Sequence, residues 1–131
     1  MKNISIIGGI LVIAVLLGVG LGCSQLGTKL KFDGGELYYT TNVTADEAQA
    51  LGNNLVESGF FNGRRISVQL DKSDSTYQFR MVVKPEFRND KSYAQTLRLF
   101  AAQLSSEVFN DEPVEIHICD ESFKTLRVVK P

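Results

Sequence analysis

The chain has 131 residues, with 14 basic and 15 acidic side chains, and is therefore close to neutral. That balance provides no electrostatic reason to expect nucleic acid as a partner. The two cysteines, Cys23 and Cys119, are too few for a disulfide framework, so a single domain must be held together by its hydrophobic core.

Residues 4–21 form an apolar stretch that contains one hydroxyl and no charged side chain. As a helix it would extend about 27 Å, close to the ~30 Å of a bilayer core. The stretch predicts either a retained transmembrane helix or a signal segment. Cys23 follows Gly22 as in the bacterial lipoprotein signal, which makes it a lipidation candidate. Both interpretations make residues 1–22 a membrane anchor or signal segment and place the remaining chain on the extracytoplasmic side.

A polar tether is predicted for residues 23–35, followed by a folded domain over residues 36–131. Residues 36–41 are aromatic and β-branched, which predicts a first strand. Thr44 and Glu47 have the spacing of a capping box and predict the start of a helix that ends near Gly59.

The second half of the domain repeats this alternation of strands and a helix. Apolar and polar residues alternate over residues 66–71 and 77–83, which predicts two strands joined by a polar hairpin loop. Asp90 is placed to cap a second helix that extends to Val108. Two further strands are predicted over residues 114–119 and 124–129.

This order predicts an α+β domain with a ferredoxin-like, split β-α-β-β-α-β arrangement and one added C-terminal strand. We expect an antiparallel sheet in the order second, third, first, fourth, with the fifth strand beside the fourth. Right-handed crossovers are expected to place both helices on one face. An α+β meander with its helices on one face is the alternative.

Four segments of the domain resemble a family of uncharacterised bacterial proteins, each an α+β domain behind a single N-terminal membrane anchor. They are Glu-Leu-Tyr-Tyr-Thr at 36–40, Ser-Gly-Phe-Phe-Asn-Gly at 58–63, Val-Gln-Leu at 68–70 and Ile-His-Ile-Cys-Asp at 116–120. The resemblance covers about residues 34–129. It implies the architecture and carries no known activity, so it assigns no functional residue.

Strand alternation places a set of polar side chains on the sheet face opposite the predicted helices. We predict that this open face binds a protein partner. Arg80, in the middle of a central strand, is expected to contact that partner, because the planar guanidinium makes several directed hydrogen bonds. The candidate residues are Tyr38, Thr40, Gln69, Gln78, Arg80, His117 and Cys119.

An alternative use of the same face is chemistry at His117 and Cys119, which alternate onto the same side of one strand. An imidazole there could activate a thiol, or the pair could bind a metal together with Glu115. The chain has one histidine and no pair of cysteines at ligand spacing. We therefore predict no enzyme activity, no cofactor and no metal site, with a thiol-dependent enzyme or metal binder as the alternative and a small-ligand sensor as the third hypothesis.

Overall fold

A six-stranded mixed sheet with two helices on one face forms residues 26–131, the part of the chain that the computed structural model describes. The predicted anchor at residues 1–22 and the lipidation candidate Cys23 lie outside the described residues. From Leu26 onward, neither helix combines the length and the apolar character that crossing a membrane requires. The elements are β1 (Thr28–Phe32), β2 (Gly35–Tyr39), α1 (Ala45–Glu57), β3 (Ser67–Ser73), β4 (Thr76–Val82), a 3-10 turn (Pro85–Phe87), α2 (Lys91–Val108), β5 (Val114–Cys119) and β6 (Thr125–Val129).

Both helices begin where their capping residues predict. The Thr44 hydroxyl accepts a hydrogen bond from the Glu47 backbone N–H at 3.1 Å, and the Thr44 N–H donates to the Glu47 carboxylate at 2.8 Å. These two bonds complete the predicted capping box. The Asp90 carboxylate accepts hydrogen bonds from the N–H groups of Ser92 and Tyr93 at the start of α2. The two predicted helices are therefore confirmed.

The predicted sheet order is wrong, although the α+β class is confirmed. The strands lie side by side in chain order, β1-β2-β3-β4-β5-β6, with β2–β3 and β4–β5 parallel and the other pairs antiparallel. A ferredoxin-like sheet would place β2 between β4 and β5. Here β2 bonds β3 directly, as the Glu36 N–H donates to the Ile66 carbonyl at 2.8 Å. Side chains reinforce the pair, because the Thr40 hydroxyl donates to Asp71 at 2.7 Å.

This order also changes the handedness of the connections. The crossovers β2-α1-β3 and β4-α2-β5 step the same way across the sheet, while their strands run in opposite directions. Two right-handed crossovers would therefore put α1 and α2 on opposite faces. Both helices instead pack into the same hydrophobic core, so the two crossovers have opposite hands.

Strand β1 occupies part of the segment predicted to be a tether. It pairs antiparallel with β2 through a two-residue loop, Asp33-Gly34, in which both residues have positive φ, 42° and 86°. Positive φ at both loop residues is typical of a type I′ hairpin turn, for which Asp-Gly is a favoured pair. The folded domain therefore begins before residue 36, and β1 forms one edge of the sheet.

The main core lies between the helices and the sheet. Alternate residues of β2 to β5 point toward the helices, and fully buried aromatic rings fill the space between the layers. The Phe60 ring stacks on Phe100 with centroids 5.5 Å apart and meets the edge of Phe79 at 5.8 Å. Neither α1 nor α2, the two helices of the described chain, packs on the opposite side of the sheet, which is called the helix-free face below.

The β1–β2 loop packs against the chain that precedes β3. The Gly63 N–H donates to the Asp33 carbonyl at 2.9 Å, and a Cβ added at Gly34 would lie 2.6 Å from the Gly63 carbonyl oxygen. Gly63 also has a positive φ, 92°, but a Cβ there would meet no atom within 4 Å. Both glycines have a left-handed backbone, but only at Gly34 would a side chain also collide with neighbouring backbone. Comparing alanine at the two positions therefore measures the cost of the collision apart from the cost of backbone strain.

We expect Gly34→Ala to lower the free energy of unfolding more than Gly63→Ala does. Left-handed backbone costs an alanine about 1–2 kcal/mol at either site. At Gly34 the collision with backbone adds a further overpacking cost of about 1–3 kcal/mol. Urea titration of the two variants measures the difference. Equal losses would contradict the close approach of the two loops.

Candidate functional site

All seven candidate residues belong to the helix-free face, but the face is less open than predicted. Tyr38 and Cys119 are 0% exposed, Gln69 is 7% exposed and His117 is 8% exposed. Thr40, Gln78 and Arg80 are half-buried. The prediction of an open, solvent-covered face is therefore wrong at its centre.

The centre of the face is organised by the guanidinium of Arg80 on β4. Its Nη2 donates to the Phe123 carbonyl at 2.7 Å, and its Nη1 donates to the Thr125 hydroxyl at 2.7 Å. Phe123 lies in the turn that joins β5 to β6, so one side chain ties β4 to that turn. Both outer nitrogens of Arg80 bond within the protein, and contact between Arg80 and a partner stays a prediction.

The turn held by Arg80 closes over the centre of the face. The Phe123 side chain is buried and belongs to a second, small apolar cluster together with Leu26, Tyr38, Val82 and Cys119. Phe123 has a positive φ of 62°, which is uncommon for a bulky side chain. The Phe123 N–H donates to the Asp120 carbonyl at 2.9 Å, and the Phe123 carbonyl accepts the hydrogen bond from Arg80.

His117 is fixed on both sides of its ring. Its Nε2 lies 3.1 Å from the Glu115 carboxylate, and its Nδ1 lies 3.3 Å from Arg80 Nη1 and 3.1 Å from the Thr125 hydroxyl. A guanidinium only donates hydrogen bonds, so its contact assigns Nδ1 as an acceptor and leaves the ring proton on Nε2, facing Glu115. Both ring nitrogens of His117 are therefore engaged by groups of the same domain.

The Cys119 thiol is in a poor position for nucleophilic chemistry. Its Sγ donates to the His117 carbonyl at 3.5 Å and lies 4.0 Å from the Thr125 hydroxyl. No hydrogen bond joins the thiol to the imidazole in the described residues. Burial raises the pKa of the Cys119 thiol, against smaller lowering effects of Arg80 and Thr125. A raised pKa keeps the sulfur in its less reactive thiol form near neutral pH.

Leu26, which the sequence analysis did not identify, contributes to the same closure. It is 7% exposed, and its carbonyl accepts a hydrogen bond from the buried Gln69 amide at 2.7 Å. Gln69 is therefore a structural residue at the centre of the face. The prediction that its side chain is solvated is wrong, and no local sequence pattern identifies Leu26 as its acceptor.

The accessible part of the helix-free face is a rim along one end of the strands. Register places Asp71, Gln78 and Glu115 side by side on β3, β4 and β5. Burial alone would raise the pKa of Asp71, but hydrogen bonds from Thr40, Asn42 and the Lys72 N–H, with the nearby Arg80 guanidinium, hold it below its ordinary value. The residues called the rim below are Thr40, Asn42, Asp71, Gln78 and Glu115.

The rim is polar and acidic, and it is more exposed than the centre, although Asp71 accepts hydrogen bonds from Thr40 and Asn42 and Glu115 lies 3.1 Å from His117. Its side chains are half-buried or exposed, and Gln78 makes no side-chain hydrogen bond within the described chain. Among residues 26–131, no group of three or more His, Cys, Asp and Glu side chains is arranged to hold a metal ion. The rim therefore presents carboxylate oxygens and the Gln78 amide at a partly accessible surface.

Removing the Arg80 side chain should destabilise the fold. We expect Arg80→Ala to lower the free energy of unfolding by about 2–4 kcal/mol, because hydrogen bonds from charged groups are worth about 1.5–3 kcal/mol each. Gln78→Ala, on the same strand and face, should cost less than about 0.5 kcal/mol. Urea denaturation of both variants measures this, and equal small losses would contradict the role assigned to Arg80.

The buried Cys119 thiol should resist alkylation in the folded protein. At pH 8 we expect iodoacetamide to leave Cys119 unmodified until denaturant unfolds the chain, as followed by peptide mass mapping. Ser122→Cys provides a matched exposed thiol in the adjoining turn, and it should react under native conditions. Rapid native modification of Cys119 would show that the face opens readily and would favour thiol chemistry there.

The folded domain matches the sequence model of a protein family. The sequence model of the family AF_1994_N, described as a family N-terminal domain, matches residues 29–131. The match begins within β1 and extends past β6, so it includes almost the whole sheet and both helices. No curated protein and no solved structure matches the chain.

Proposed function

The chain belongs to the AF_1994_N family, and we propose that it is a membrane-tethered, extracytoplasmic domain that binds a protein partner. Residues 4–21 support the tether, because they are apolar, uncharged and long enough to span about 27 Å as a helix. Either a retained helix or acylation at Cys23 would supply the anchor. The domain would then act at the membrane surface as part of a larger assembly.

The observation that carries the binding proposal is the division of the helix-free face. At its centre, Arg80, His117 and Gln69 bond other groups of the same chain. At the rim, Asp71 and Glu115 bring two carboxylates to an accessible surface on either side of Gln78. The proposed partner therefore presents cationic or hydrogen-bond-donating side chains to the rim.

A charge introduced in the middle of the rim tests this directly. Gln78→Lys would set a cation between Asp71 and Glu115 and should repel a cationic partner. We expect this variant to lower the fraction of the protein found in a high-mass complex by native electrophoresis of mildly solubilised membranes. Urea titration of the variant checks that its fold is retained.

Ala102→Lys is the matched control, because it adds the same charge at an exposed position of α2, on the other side of the sheet. It should leave the high-mass fraction unchanged. A monomeric wild-type protein, or equal losses in both variants, would contradict the rim as a binding surface. An intact mass of the membrane-extracted protein separates a chain acylated at Cys23 from one that begins at Met1.

Chemistry at His117 and Cys119, and a small-ligand sensor, are the competing hypotheses. Cys119→Ser distinguishes the first from binding, because it removes the thiol while nearly preserving its volume. In a binding domain this variant should keep the high-mass complex and any growth phenotype of the wild type. Loss of function with Cys119→Ser, and not with Gln78→Lys, would replace the binding proposal with a thiol or metal function.

A further inference from the structure

We propose that the anchored domain turns its helix-free face toward the membrane and its two helices away from it. This inference rests on the tether of the proposed function. It also specifies the partner of the rim, which must lie in or on the same membrane. The inference rests on two observations. Leu26, the first described residue, packs on the helix-free face, and only residues 22–25 separate it from the apolar stretch.

Leu26 fixes the exit of the chain near the centre of the helix-free face. Its carbonyl accepts a hydrogen bond from Gln69 on β3, and its side chain packs with Val82 of β4 and Phe123 of the β5–β6 turn. Leu26, the first described residue, therefore lies on the side of the sheet opposite α1 and α2, and the chain runs from it across this face to β1.

Only residues 22–25 lie between the apolar stretch and Leu26. Fully extended, the five steps from residue 21 to residue 26 span about 18 Å. If Cys23 is acylated instead, the three steps from that residue span about 11 Å. Both forms of anchor therefore hold Leu26 close to the lipid surface.

A domain with its helices toward the membrane would need a longer connection. From β3 the chain must pass two strands to leave the face at β1, about 10 Å, at the ordinary strand spacing. It must then pass the sheet and helix layers, about 15 Å more. The sum of about 25 Å exceeds the reach of residues 22–25. The short connection therefore excludes an orientation with α1 and α2 toward the membrane.

Charges on β1 agree with this orientation. Lys29 and Lys31 both alternate onto the helix-free face, close in sequence to the anchor. Lys31 is exposed, and Lys29 lies 3.6 Å from the Glu36 carboxylate. In the proposed orientation these two side chains point toward the lipid headgroups.

Tryptophan fluorescence tests the orientation, because the chain contains no tryptophan. Single tryptophans are introduced by Gln78→Trp on the helix-free face and by Leu99→Trp on α2. Leu99 is 59% exposed and lies on the side of α2 opposite its buried stripe. The full-length variants are reconstituted into vesicles that contain dansyl-labelled headgroup lipids, and energy transfer from tryptophan to dansyl is measured.

We expect transfer from Gln78→Trp to be several-fold greater than from Leu99→Trp. Lys31→Trp and Ala102→Trp form a second pair with the same expectation, in case one substitution disturbs the fold. Equal transfer, or greater transfer from the α2 positions, in protein that floats with the vesicles would overturn the orientation and leave the tether intact. Protein that remains in the aqueous fraction would overturn both the tether and the orientation.

Discussion

The hydrogen bonds of Arg80 decide what the helix-free face of this domain can do. A six-stranded sheet with helices on one side leaves its other side to water unless its own side chains close it. Arg80 closes the centre by reaching from β4 to the Phe123 carbonyl and the Thr125 hydroxyl, both beyond the end of β5. Phe123 shares a small apolar cluster with Cys119, and Arg80 Nη1 lies 3.3 Å from His117 Nδ1, so both candidate residues for chemistry pack against groups of the same domain.

This closure produces a sheet with two unequal cores. The larger core lies under the helices and contains stacked and edge-on aromatic rings, while the smaller one contains Leu26, Tyr38, Val82, Cys119 and Phe123. Gln69, His117 and the outer nitrogens of Arg80 are paired around the smaller core, which avoids a large desolvation cost, while the buried Arg80 Nε has no partner in the described chain. The carboxylates of the rim remain accessible. The geometry thus separates a buried centre from a more exposed rim, the surface to which we assign partner binding.

Local features of the fold could be predicted from the sequence, whereas its long-range partners could not. The capping residues Thr44 and Asp90 fix both helix starts through bonds to neighbours a few positions away. Sheet order depends on which strand lies beside β2, and strand alternation is the same for either neighbour. The hairpin at Asp33-Gly34 has a recognisable type I′ turn sequence, which predicts a strand on each side of it and therefore β1. Gln69 is buried because it bonds Leu26, which lies 43 residues away in the chain. Cys119 is buried against Phe123, whose position depends on the conformation of the β5–β6 turn.

A double-mutant cycle between Arg80 and Thr125 tests most directly whether the Arg80 contact closes the face. Arg80→Ala, Thr125→Val and the double variant are compared with the wild type by urea denaturation. Residues that share a hydrogen bond are expected to show a coupling energy of about 0.5–3 kcal/mol, and we predict about 1 kcal/mol here. Stability losses that simply add would mean that the bond between the two side chains contributes nothing, and the closed centre would need another explanation.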